Sequence, residues 1–218
     1  MRATINTHCG DCMEALRGME GNQYELAIVD PPYNVGASDG KFGGKRSKPS
    51  VISGKLNGKH YANHNKTPDR IYFDELFRVS KNQVIWGSNY YPQFLRHSGA
   101  VVWDKLTTGP LSDCEIAFQS FNKLVLKFTN AWSGFNKGGD KSARIHPNQK
   151  PVALYKWLLA NYANEGDTIL DTHGGSMSSA IACWDAGYDL DLWESDEDYY
   201  AAGVARLEKH KQQRQFDI

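Results

Sequence analysis

Apolar residues in this chain fall mainly in short unbroken runs rather than in strict alternation, and Leu26-Ala27-Ile28-Val29 is the clearest. Such a run predicts a strand covered on both faces, as in a parallel sheet flanked by helices. The same patterning predicts a short alternating strand over 3–7, a helix near 11–19, and strands over 83–87 and 100–104 with a turn at 88–95 between them. It predicts a hairpin of 114–121 with 123–129 turning at Asn122. Strands follow over 168–171 and 190–194, the latter leading through Asp196 and Tyr199 into a last helix. Thr67-Pro68-Asp69 offers an N-cap with proline at the first helical position. Ile71, Phe73, Leu76, Phe77 and Val79 make the helix behind it apolar on its packed side. Pro151 opens another helix, in which Leu154, Trp157 and Leu158 share a face. Strands alternating with helices predict an α/β fold, a doubly wound, mostly parallel sheet with an antiparallel edge hairpin.

The 218 residues suit one domain over 1–218, large enough for a real core. No stretch approaches the apolar length of a membrane span and the N-terminus lacks a signal-peptide pattern, so the cytoplasm is the expected compartment. Cys9-Gly10-Asp11-Cys12 is formally a C-x-x-C, but Cys114 and Cys183 stand alone. A zinc site wants a second close pair, so small residues packing beside a turn is the preferred reading and no metal is expected. Formal net charge is zero, and only local charge adds information. Lys41, Lys45, Arg46, Lys48, Lys55 and Lys59 crowd a Gly-, Ser- and Asn-rich stretch at about 36–66. It reads as a basic flexible insertion suited to a phosphate backbone, or as a solvated loop. A second aperiodic stretch, about 130–148, interleaves Lys137, Lys141 and Arg144 with Trp132 and Phe135.

Candidate chemistry sits where the apolar run stops, at Asp30-Pro31-Pro32-Tyr33. Prolines donate nothing to a ladder, so the strand ends in a stiff turn. In open α/β sheets that carboxyl edge is where ligands bind. The turn offers a carboxylate, carbonyls with few competing N–H groups, and a flat ring, which suits a planar ligand bearing an amino group. A second strand–turn–helix runs from Asp171 through His173, Gly174, Gly175 and Ser176. Its small residues let backbone approach a nucleoside or anionic group. Glu194, an acid about twenty residues beyond that turn, is placed to accept both hydroxyls of a ribose, and is preferred to Asp196 because it ends the strand. A nicotinamide-dependent dehydrogenase shares this geometry, but the turn lacks G-x-G-x-x-G and that class leaves Asp30 to Tyr33 unexplained.

Asp-Pro-Pro-Tyr resembles the catalytic motif of the DNA amino-methyltransferases, which methylate adenine N6 or cytosine N4 with S-adenosylmethionine. Gly10-Asp11-Cys12 resembles that family's Gly-Asp-Cys turn, whose acid lies near the cofactor adenine; Asp11 fits an ordinary N-cap equally well. His146-Pro147-Asn148-Gln149-Lys150-Pro151 resembles H-P-x-Q-K-P, which borders the methionine end of the cofactor and implies roles for Gln149, Lys150 and Pro151. Asp171 to Ser179 resembles D-x-x-x-G-S-G-[ST]-[ST], with His173 where phenylalanine is common and Met177 where the last glycine is usual. A side chain at 177 is expected to crowd the cofactor or to demand a different backbone angle. Trp86 to Tyr91 and Trp103-Asp104-Lys105 resemble the family too, without an assignable role.

Catalytic motif first and cofactor half last is the permuted order of the family's β group, so the resemblance implies a circularly permuted Rossmann-like methyltransferase fold. It also implies a double-stranded DNA partner, contacted by the basic insertion and by a short target-recognition segment at about 130–148. The target base is flipped from the stack at a cost of roughly a few kcal/mol. It is then expected to stack on Tyr33, with Asp30 and the Pro31 carbonyl accepting its N–H groups. Aspartate before the prolines is commoner in the adenine enzymes; cytosine N4 is the alternative, and a DNA-binding relative without transferase activity is a third. The sequence names neither a restriction-endonuclease partner nor an oligomeric state.

Overall fold

A computed structural model describes residues 3–33, 67–95, 99–107, 112–122, 124–132 and 144–215. Lys41, Lys45, Arg46, Lys48, Lys55, Lys59, Lys137 and Lys141 lie outside the described residues.

The chain order is β1 (Ile5–Cys9), α1 (Cys12–Gly18), β2 (Tyr24–Val29), α2 (Arg70–Val79), β3 (Ser80–Trp86), β4 (Ala100–Asp104), β5 (Cys114–Gln119), β6 (Val125–Thr129), α3 (Val152–Tyr162), β7 (Thr168–Asp171), α4 (Ser178–Ala186), β8 (Asp189–Glu194) and α5 (Glu197–Gln215). One eight-stranded sheet has the order β1-β8-β7-β2-β3-β5-β4-β6. Strands β1, β8, β7, β2 and β3 run parallel. β5 opposes both β3 and β4, and β6 returns parallel to β4.

The apolar run of β2 is covered on both faces, as expected of a central parallel strand. Leu26 and Ile28 join Leu154, Leu158, Ile181 and Leu207 beneath α3, α4 and α5. Ala27 and Val29 point the other way, onto Leu16, Phe73, Leu76 and Val79 of α1 and α2. From β2 the chain moves through α2 to β3 on one side; from β7 it moves through α4 to β8 on the other. The switch point of the sheet therefore lies between the adjacent ends of β2 and β7, where a ligand crevice opens in folds of this kind.

Four sequence expectations change in detail. The antiparallel edge exists, but β4 and β5 build it. The loop at Asn122 carries the chain under β4, with Ala100 N donating to Leu124 O at 3.1 Å, and β6 pairs with β4 instead of β5. Gly99 permits the crossing, since a Cβ there would lie 2.0 Å from Asn122 O. α2 is capped by Asp69, whose carboxylate accepts from Tyr72 N, rather than by Thr67. Within that helix Ile71 is exposed, and Tyr72 takes the core position with its hydroxyl 2.7 Å from Thr172 Oγ1. Trp132 is buried beside Trp103, and its Nε1 donates to Gln149 O at 3.0 Å; the core claims that ring, and Phe135 lies outside the described residues.

Candidate active site

Asp30 follows the last residue of β2, and Lys150, from the loop ahead of α3, places its ammonium on Asp30 Oδ2. The other carboxylate oxygen, Oδ1, is buried with no hydrogen-bond partner among the described residues. Lys150 also lies 3.1 Å from Glu115 Oε2 on β5 and 5.5 Å from the centre of the Trp86 ring. Glu115 Oε1 in turn meets Lys105 Nζ at 2.5 Å. Burial raises the Asp30 carboxyl above its ordinary range, with Lys150 pulling against that and Glu115 adding to it. For Glu115, burial pushes upward too, but Lys150 and Lys105 together outweigh it and hold the carboxyl low. The Lys150 ammonium, which burial alone would weaken, is kept protonated by the two carboxylates. Two acids sharing one cation thus separate into a basic one at Asp30 and an acidic one at Glu115. Lys150 is expected at the methionine end of a cofactor; its ammonium lies on the Asp30 carboxylate of the proline turn.

Tyr33 is fixed by the segment after β3. Gly87 adopts φ +70°, and a Cβ there would sit 2.5 Å from Tyr33 Cδ1, so only glycine lets the two approach. A 3-10 turn over Ser88–Tyr90 follows and lays the Tyr90 ring parallel to Tyr33. Next to it, the buried Tyr91 hydroxyl faces Pro32 O at 2.7 Å and Pro31 O at 3.2 Å. That hydroxyl pins the proline turn, and the longer contact leaves the Pro31 carbonyl the more open acceptor. Sequence reasoning missed Glu115, and it marked the segments of Lys105, Tyr90 and Tyr91 as family-like without giving them a role. The one signal for Glu115 was a charge inside the otherwise uncharged strand Cys114–Gln119.

Across the switch point, the Asp171 carboxylate is buried and already engaged, accepting from Ser179 Oγ at 2.5 Å and His173 N at 3.0 Å. Gly174 has no room for a side chain, because a Cβ would meet Leu192 Cδ2 at 2.2 Å. Gly175 N donates to Glu194 Oε2 at 2.8 Å, and Asp196 N donates to Glu194 Oε1 at the same distance. Glu194 therefore ties the glycine turn to the end of β8. Ser176 Oγ bonds Ser178 Oγ, which donates to Lys150 O at 2.8 Å and so links this turn to the loop ahead of α3. Met177 itself adopts the left-handed angle, φ 59° and ψ 28°, so the turn keeps the backbone a glycine would give it. Its side chain is fully buried in the core against Gly203 of α5.

Asp11 caps α1, accepting from Met13 N at 2.8 Å. Pro151 is the N-cap of α3. Gln149 is buried, its Oε1 accepts from Ile145 N at 3.0 Å, and its Nε2 has no partner among the described residues. Arg144, expected on DNA, is exposed and turns its guanidinium back onto the His146 and Pro147 carbonyls.

Comparison with known proteins agrees with this arrangement. The family model described as DNA methylase matches residues 55–205; that span holds the cofactor-type half and begins after Tyr33. The type II methyltransferase M.HpaI of Haemophilus parainfluenzae is 24% identical over 80% of this chain, and the chain spans 65% of that protein's length. The putative methylase YubD of Escherichia coli (strain K12) is also 24% identical, over 91% of this chain and 88% of its own. Among solved structures, the M1.HpyAVI–SAM complex superposes with a TM-score of 0.59 at 17% identity, over 93% of this chain and 100% of that one. The cytosine-N4-specific PvuII DNA methyltransferase gives 0.59 at 16% identity, over 97% and 92%. These likenesses establish the methyltransferase-type sheet. With the family match running over most of its length, the chain belongs to the DNA methylase (N6/N4) family.

Proposed function

We propose that this protein transfers a methyl group from S-adenosylmethionine to an exocyclic amine of a base in double-stranded DNA, adenine N6 in preference to cytosine N4. The carrying observation is the buried, unfilled Asp30 Oδ1 beside the ring of Tyr33. Acceptor and stacking surface stand together at the switch point, where a flipped base would enter.

The donor set across the crevice fits the cofactor. Gln149 Nε2 is a buried donor without a partner among the described residues, suited to a carboxylate or carbonyl oxygen. Asp11, Asp171 to Ser176 and Glu194 line the carboxyl ends of neighbouring strands, where the nucleoside would lie. When bound, S-adenosylmethionine supplies an electrophilic methyl on a sulfonium. The chain supplies the rest. Tyr33 holds the flipped base by its face, while Asp30 Oδ1 and the Pro31 carbonyl accept its two N–H groups. Those bonds draw the nitrogen lone pair out of conjugation with the ring, making a poor nucleophile a better one. Positive charge developing on nitrogen is met by a fixed carboxylate, an electrostatic contribution available before the reaction starts. Burial makes Asp30 basic for a carboxylate, so Oδ1 is suited to take the proton that nitrogen sheds. No protein–base bond is needed, and the cysteines have no part in it. The basic residues between Lys41 and Lys59, with Lys137 and Lys141, would follow the phosphate backbone, giving binding that weakens with salt. The cytoplasm is the compartment in which such a reaction is proposed.

Preference for adenine rests on the aspartate ahead of the prolines. The cytosine-N4 specificity of one structural relative keeps cytosine as the second reading. The test incubates wild-type and Asp30→Ala protein with S-adenosylmethionine and unmethylated DNA, followed by nucleoside mass spectrometry. N6-methyladenine from the wild type alone is expected; N4-methylcytosine would transfer the assignment to the second reading. Transfer by Asp30→Ala near the wild-type rate would remove Asp30 from the mechanism. Tyr33→Ala should cost about 1–3 kcal/mol of base stacking.

A further inference from the structure

Four charged side chains meet behind the catalytic turn in one row: Asp30, Lys150, Glu115 and Lys105. Their side chains are 14%, 3%, 22% and 15% exposed. Removing charges from water costs more than a pair of this kind usually returns, so such a row is a poor device for stability alone. Its geometry is asymmetric in a useful way. Glu115 meets Lys105 through Oε1 and attracts the ammonium of Lys150 to one side through Oε2, which lies 3.1 Å away in ion-pair range with no hydrogen bond among the described residues. Lys150 consequently touches Asp30 through Oδ2, and Oδ1 keeps its lone pairs. An ammonium without that second attraction is free to centre itself between both oxygens of one carboxylate.

We infer that Glu115 and Lys105 are positioning residues for methyl transfer: they restrain Lys150 so that it orients Asp30 without quenching the oxygen that receives the amine. This rests on the reading of Asp30 as the acceptor of the base's amino group. Neither residue touches the substrate; each acts on Asp30 through Lys150 and through its own charge. The other groups facing Asp30 are the Tyr33 and Tyr91 hydroxyls, Tyr155 of α3 and Asp171 at the end of β7. The three phenols stay neutral near pH 7, because burial pushes each well above its ordinary value. Asp171, itself raised to about 7 mainly by burial, is unchanged in the variants below and contributes equally to all of them.

The signs are opposite for the two positions, which separates this role from scaffolding. Replacing Glu115 by Gln removes a negative charge and releases Lys150 toward Asp30, so the Asp30 carboxyl becomes more acidic and a weaker acceptor. Replacing Lys105 by Gln lets Glu115 draw Lys150 away, so the Asp30 carboxyl becomes less acidic. The experiment follows kcat against pH for the full chain with labelled S-adenosylmethionine and unmethylated DNA. The acid limb of kcat should move to lower pH in Glu115→Gln and to higher pH in Lys105→Gln, each by roughly one unit. Glu115→Asp should restore the wild-type limb, and KM for S-adenosylmethionine should stay near the wild-type value throughout. Limbs that stay at the wild-type pH overturn the inference whatever the loss of rate, because scaffolding alone lowers activity without moving them. A shift of the same sign in both variants overturns it as well. Should Glu115→Gln fail to fold, the direction of the Lys105→Gln limb decides by itself. A wild-type protein that methylates no DNA would instead sink the proposed function, and this inference with it; a working wild type with unmoved limbs sinks only the inference.

Discussion

Tyr90 lies flat on Tyr33, with 4.6 Å between ring centroids and 6° between ring planes. It covers a face of the ring that a flipped base is proposed to use, and Tyr90 is itself 39% exposed. An aromatic pair of this kind contributes about 0.5–1.5 kcal/mol, whereas a base stacked on an aromatic platform contributes about 1–3 kcal/mol. The base therefore wins the face, at the cost of the tyrosine pair. Tyr90→Ala should lower the unfolding free energy by about 1 kcal/mol while leaving methyl transfer at or above the wild-type rate. Urea melts and initial rates on unmethylated DNA measure the two quantities. A rate loss of tenfold or more would mean that Tyr90 grips the base instead of yielding to it.

Gly87 is the hinge that brings these rings together. Its φ of +70° and the 2.5 Å approach of a Cβ to Tyr33 Cδ1 make Gly87→Ala doubly unfavourable. The left-handed angle costs about 1 kcal/mol for a residue with a side chain, and the ring must tilt away as well. The expected result is a less stable protein with a larger loss of kcat than of stability, because the tilted ring sits at the proposed stacking surface. An alanine variant with wild-type kcat would show that the orientation of Tyr33 is unimportant.

Met177 and Gly203 form a matched pair. Met177 bears the strain of a left-handed backbone, and its side chain occupies space that a Cβ on Gly203 would enter, 2.5 Å from Met177 Cγ. Restoring glycine at 177 relieves about 1 kcal/mol of backbone strain. It also removes a fully buried side chain, and comparable truncations cost about 2–5 kcal/mol. The cavity wins, so Met177→Gly should destabilise despite the better backbone angle. Gly203→Ala should destabilise too, and the double variant Met177→Ala/Gly203→Ala should lose less than the sum of its parts. Additive losses in denaturant melts would show that the two positions are not in contact.

Much of this was legible in the sequence where the signal is local. An unbroken apolar run stopped by two prolines marks β2 and its proline turn, and a cluster of small residues after Asp171 marks the second turn. Pairing beyond the neighbour was not legible. Asn122 marks a reversal, but the reversal passes beneath β4 because Gln119 gathers the loop, its Nε2 donating to Asn122 O at 2.9 Å and its Oε1 accepting from Phe121 N at 2.8 Å. Glu115 was opaque for the same reason: its meaning depends on Lys105 and Lys150, and only the fold brings those residues together. The capping of α2 was misread by two positions, since Thr67 and Asp69 are both good caps and only Asp69 reaches the N–H of Tyr72.

His173 stands where the family resemblance leads one to expect phenylalanine, and the difference is measurable as a pH dependence. Burial lowers its imidazole to about 4, while in the unfolded chain it titrates near its ordinary value of about 6.5. Above that value both states are neutral and the native state suffers no penalty. As pH falls from about 6.5 toward 4, the unfolded chain takes up a proton that the folded protein refuses, so stability is progressively lost. Asp171 runs the other way: burial raises it to about 7, against hydrogen bonds from Ser179 and His173 N. Its contribution is full below the ordinary carboxyl range and is lost as pH rises toward 7. In the wild type the two slopes oppose each other across the same window. His173→Phe removes one of them, so the variant should gain stability relative to wild type as pH falls from 6.5 to 4. The gain is at most about 3 kcal/mol and smaller to the extent that the partly exposed ring is screened by solvent. Denaturant melts of both proteins at several pH values measure the difference, and parallel curves across that window would show that His173 titrates normally in the folded state.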